Sequence, residues 1–73
     1  MDGGVQYGTV SEFDDRRGLG VIMSEEGRSY PFQCTRIADG TRTIAVGAPV
    51  AFDVVAGQMG RWEAVAIVAV IAP

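Results

Sequence analysis

Apolar positions along this chain alternate with polar ones over short stretches and are interrupted every few residues by glycine, a period-two pattern that predicts strands. No apolar 3.6-residue period is sustained beyond two turns. A first strand is expected from Val5 to Phe13, where the parity of Val5 and Tyr7 shifts to Val10 and Gly8 is placed to absorb a bulge or bend. A second covers about Gly18 to Met23. The polar SEEGR segment, Ser24 to Arg28, supplies turn chemistry, and a third strand from Ser29 to Cys34 would point Tyr30, Phe32 and Cys34 to one face. Pro31 cannot donate to a ladder, so this strand belongs at a sheet edge or is bulged there. From Thr35 to Ala48 the chain is polar and glycine-punctuated, a long connection with Ile37 and Ile44 as anchors into the core. Pro49 to Val55 then turns Val50, Phe52 and Val54 inward against Ala51 and Asp53. AGQMG reverses the chain, and Arg61 to about Val70 forms the last strand. Five short strands arranged three then two predict an all-β fold, a small, partly open antiparallel barrel.

Length and charge narrow what such a barrel can do. A chain of 73 residues is expected to form a single domain, 1–73, with its core between about 5 and 67 and an apolar tail at 68–73. The run EAVAIVAVIA, from Glu63 to Ala72, is apolar at both parities, which a half-exposed final strand does not need. Either it folds over the barrel, or it pairs with a second chain through an exposed edge, or Ala64, Ala66 and Ala69 are simply small surface residues. All six basic residues are Arg, there is no His, and a single Cys34 stands without a partner. That set offers no phosphate-loop lysine, no Schiff base, no Ser/His or Cys/His nucleophile and no zinc or haem ligand set, so no cofactor or metal and no enzymatic activity are expected. The pairs Asp14-Asp15 and Glu25-Glu26 lie in polar stretches beside glycines and read as solvated turn charges. No signal peptide is visible, and the apolar run from Ala64 to Ala72 falls far short of the ~20 residues that span a bilayer, so a cytoplasmic location without membrane contact is expected. The all-Arg basic set with abundant Ala, Val and Gly suggests bacterial, high-GC coding.

The order of residues points further. GTVSEFDDRRGLGVI, then YPFQCTRI, then RTIAVGAPVAFDVVAGQMG resembles the cold-shock domain pattern, which reads approximately GTVKWFN..KGFGFI, VFVHFSAI and KTL.EGQ.V.F.V..G..G. The resemblance extends from Gly8 to roughly Ala66, and its specific part is the spacing of Gly8, Gly18, Gly20, Ile37, Gly47, Phe52 and Gly60. It implies a five-stranded OB-type barrel that binds single-stranded RNA or DNA on one face. The stacking platform of that family is largely replaced: its tryptophan becomes Glu12, the two phenylalanines of KGFGFI become Leu19 and Val21, and the VFVHF phenylalanines become Pro31 and Cys34, with Gln33 at the histidine. Phe13 remains. Arg17 stands at the lysine of the glycine motif, Arg42 at the lysine of KTL, and Trp62 appears where the family usually has no aromatic. The nucleic-acid site implied for this chain is therefore Phe13, Arg17, Gln33, Arg42 and Trp62.

Each lost stacker removes about 1 to 3 kcal/mol, while a micromolar complex is worth about 8 kcal/mol in all. With a net charge of -3 and Glu12 at the tryptophan position, weak or altered binding is expected. The competing reading makes the same face a protein contact. Leu19, Val21 and Met23 share one parity, opposite Ile22, and give an aliphatic patch that could join a homodimer or a protein partner, alone or with the C-terminal strand. Trp62 is read either as a stacker or as a cap on the barrel end, and Arg16 and Arg17 either grip a phosphate or balance Asp14 and Asp15.

Overall fold

The computed structural model describes residues 5–57 and 60–70. Five antiparallel strands form one sheet in the order β3-β2-β1-β4-β5: β1 Gln6–Asp14, β2 Leu19–Ser24, β3 Ser29–Gln33, β4 Pro49–Ala56 and β5 Trp62–Ala69. A 3₁₀ turn, Cys34–Arg36, follows β3. The sheet curls so that β5 comes back beside the end of β3. Ile37 bridges Ile67 in parallel, and the Ala38 N–H donates to the Ile67 carbonyl at 2.8 Å. This is the small, partly open barrel that the strand spacing predicts, and Pro31 does lie on an edge strand.

The core fills the inside of that curl. Val10, Ile22, Tyr30, Phe32, Ile37, Val50, Phe52, Ala64 and Ile67 are buried together, and the Tyr30 and Phe52 rings meet tilted at 5.7 Å between centroids. Ile44 packs partly buried against them, so both expected anchors of the long connection reach the core. Among the described residues Ser24 is the buried polar one, and its groups are satisfied within the β2–β3 turn. Its N–H donates to the Arg28 carbonyl at 2.7 Å, and its hydroxyl accepts the Arg28 N–H at 3.1 Å.

Two bulges set which residues face inward. In β1, Val10 opposes Ile22 while Glu12 opposes Val21, so Ser11 is the extra residue and the inward parity passes from Val10 to Phe13. The break therefore falls at Ser11 and not at Gly8 as expected. Tyr7 and Val5 are apolar but exposed, and no parity change separates Gly8 from Val10. Gly8 is needed for another reason: a Cβ there would overlap the Met23 carbonyl oxygen of β2. In β5, Ala51 of β4 opposes Val68 and Asp53 opposes Val65, which leaves two β5 residues against one. Ala66 takes a φ of 52°, and the inward set steps from Ala64 to Ile67. That step accounts for apolar residues at both parities after Glu63. Within the described residues the run is a bulged sheet strand, in which Val68 and Ala69 still pair with β4; residues 71–73 lie outside them.

Candidate nucleic-acid interface

The site is built on the first three strands. Between β2 and its neighbours the cross-strand rows run Glu12–Val21–Pro31 and Asp14–Leu19–Gln33, all facing outward, and Phe13–Gly20–Phe32, facing inward. Because Gly20 has no side chain, the Phe13 and Phe32 rings meet across it, stacked with centroids 5.9 Å apart and planes 6° from parallel. Phe32 is buried and Phe13 is half-buried at the rim.

The β1–β2 turn aims a guanidinium at this surface. The Asp14 carboxylate accepts the backbone N–H of Arg16 at 3.0 Å and of Arg17 at 3.2 Å, and the Gly18 N–H donates to the Asp14 carbonyl at 2.8 Å. Gly18, at a φ of 67°, turns the chain into β2, and its carbonyl accepts the Cys34 N–H at 2.7 Å. Cys34 lies just past the end of β3 and not within it, because the chain has already entered the 3₁₀ turn; its side chain still packs half-buried against the core.

An open groove of about 900 Å³ runs over this region, with Phe13, Leu19, Val21 and Gln33 on the first three strands, Arg17 in the β1–β2 turn, and Arg61 and Glu63 across from them. It therefore brings together Phe13, Arg17 and Gln33. Arg42 and Trp62 do not line it. Arg42 sits exposed in the long connection at a φ of 61°, flanked by Thr41, which donates to Asp39, and Thr43, whose hydroxyl donates to Asp15 at 3.3 Å. Trp62 opens β5 opposite Ala56 and is 58% exposed, so it does not seal the barrel end. Arg61 is the lining residue that sequence reasoning missed; its signal was only a basic residue at the end of the β4–β5 turn. The groove is mixed in charge, two arginines against Glu12, Asp14 and Glu63. Asp39, in the connection, is held below the usual carboxylate range by the backbone N–H and then the hydroxyl of Thr41. Among the described residues no cluster of three or more His, Cys, Asp or Glu side chains could hold a metal, and no helix is long and apolar enough to cross a membrane.

Strand order, register and the groove on β1–β3 define a cold-shock-domain fold, the class that the glycine spacing resembles. The chain superimposes on Drosophila Unr CSD456 with a TM-score of 0.79 at 24% identity, over 94% of this chain and 28% of that one. At that identity the likeness establishes the fold. The chain spans little more than a quarter of its neighbour's length. No family model and no curated protein matches the sequence.

Proposed function

We propose that the chain is a non-enzymatic module that binds single-stranded RNA or DNA weakly in the groove on β1–β3. The observation that carries this reading is the convergence of Phe13, Arg17 and Gln33 on one open groove of a cold-shock-domain fold, with Arg61 opposite. One half-buried ring offers a base about 1 to 3 kcal/mol, against about 8 kcal/mol for micromolar binding. Leu19, Val21 and Pro31 give a base an apolar floor without a π-face. Two arginines engaging two phosphates of a single strand give a log-log salt slope of about -1.4, so raising salt fourfold weakens binding only about sevenfold. Arg42 and Trp62 lie beyond the groove lining and serve only a longer strand. The test is titration of labelled short RNA and DNA at about 50 and 200 mM salt, a fourfold span over which the two phosphate contacts predict that roughly sevenfold loss. Sub-millimolar binding that Phe13→Ala and Arg17→Ala both weaken supports the reading; binding indifferent to both substitutions contradicts it.

One observation favours a second reading, a protein contact or homodimer on the same face: Leu19 and Met23 are 46% and 40% exposed beside half-buried Val21. On that reading Val21→Glu dissociates a dimer in sedimentation and the parent binds no oligonucleotide.

A further inference from the structure

Glu12 stands at the middle of the groove face, directly across from Val21, with Pro31 on the next strand. Gln33 stands across from Leu19 in the adjoining row. With strands about 4.8 Å apart, the β1 and β3 side chains bracket an apolar strip roughly 10 Å wide, enough for a base lying on Leu19 and Val21. The acidic side chains nearby are not equivalent. Asp14 already accepts two backbone N–H groups of its turn, Asp15 accepts the Thr43 hydroxyl, and Glu63, across the groove on β5, is half-buried with its side chain against Gly57. Glu12 is exposed, lines the groove and takes part in none of the side-chain hydrogen bonds among the described residues, so its carboxylate has no protein donor among them.

An ionised carboxylate only accepts hydrogen bonds. It therefore repels phosphate and uridine carbonyls and rewards a base edge that presents adjacent donors. Guanine offers such an edge, N1–H beside the N2 amino group; adenine and cytosine offer one amino group beside a ring acceptor, and uracil one N–H between two carbonyls. Resting on the nucleic-acid reading above, we infer that Glu12 makes this groove selective for guanine in a single strand, with its backbone held away at Arg17 and Arg61 and Gln33 completing the edge contacts. The residue that removes the tryptophan from the platform thus supplies base choice in place of stacking.

The experiment compares short oligouridylates of about seven nucleotides, within the roughly 4 to 16 that an OB fold covers. One is all uridine, one carries a central guanosine, and one carries inosine, which keeps N1–H and lacks the amino group. The parent should prefer the guanosine strand about fivefold or more over uridine, with inosine between them. Glu12→Gln and Glu12→Ala should bring the guanosine-to-uridine ratio close to one while binding of the all-uridine strand is kept or strengthened, because a repulsive charge has gone. Glu12 is exposed, so both variants fold, and equal melting temperatures confirm it. A parent ratio of one, or a ratio that survives in both variants, overturns guanine selection while leaving nucleic-acid binding in place. A parent that binds none of the three strands overturns both.

Discussion

A methyl group added at Gly20 tests the inner wall of the groove. The Cβ of Gly20→Ala would overlap the ring of Phe32 and lie 2.8 Å from the Glu12 carbonyl oxygen. Phe32 is 2% exposed and cannot swing away, and the bulged β1 backbone is held by its ladder to β2. Forcing a methyl group into so packed a site costs about 1 to 3 kcal/mol. Parting the Phe13–Phe32 stack adds about 0.5 to 1.5 kcal/mol. Against this, alanine restricts the unfolded chain and returns about 0.4 to 1 kcal/mol. Gly20 is not in the left-handed region, so backbone strain does not enter. The net loss is about 2 kcal/mol, which in a domain this small lowers the melting temperature by about 8 to 16 °C. Thermal unfolding followed by circular dichroism measures it. A variant melting within about 2 °C of the parent, or above it, would refute the placement of Phe13 and Phe32 across Gly20.

Other perturbations read other parts of the structure. Phe52→Ala removes a ring that is 1% exposed at the core centre and should cost about 3 to 5 kcal/mol, leaving little cooperative transition; an intact melt would misplace Phe52. Ala66→Gly relieves a left-handed alanine in the β5 bulge, and the gain of about 1 to 2 kcal/mol outweighs the usual glycine penalty of about 0.5 to 1, so the melting temperature should rise by a few degrees; a fall would argue against the bulge. The Asp39 carboxyl, followed by carbon NMR, should titrate below the ordinary aspartate value, and Thr41→Val, which removes the hydroxyl but keeps the backbone N–H, should move it part of the way back up. Because its folded pKa is depressed, the stability it contributes is present above the unfolded value and is lost as pH falls through the folded one. An Asp39 that titrates normally in the parent would remove the Thr41 contact.

The strands were legible because Val50 and Phe52, and likewise Tyr30 and Phe32, are large apolar residues two apart between turn signals, which puts each pair on one face of a strand. Pro31 reported an edge for the reason that it lacks an N–H. What alternation cannot locate is the extra residue of a bulge: Val10 and Phe13 are three apart, as are Ala64 and Ile67, and each interval needs one unpaired residue that no side chain advertises. Exposed Tyr7 and Val5 added a false parity change. At the site, the glycine register placed Phe13, Arg17 and Gln33 near one another through local strand pairing. Arg61 reaches the same groove only because the sheet curls β5 back toward β3, a long-range closure that leaves no short-range pattern.

The central claim, a single strand lying across β1–β3, is tested most directly by amide chemical-shift mapping of the ¹⁵N-labelled chain against a short guanosine-containing RNA. The account predicts that shifts concentrate at Glu12 to Asp14, Arg17, Leu19 to Val21, Gln33 and Arg61, and that Tyr7 and Val68 on the outer β1–β4–β5 face stay still. Shifts confined to that outer face, or none at millimolar RNA, would contradict it.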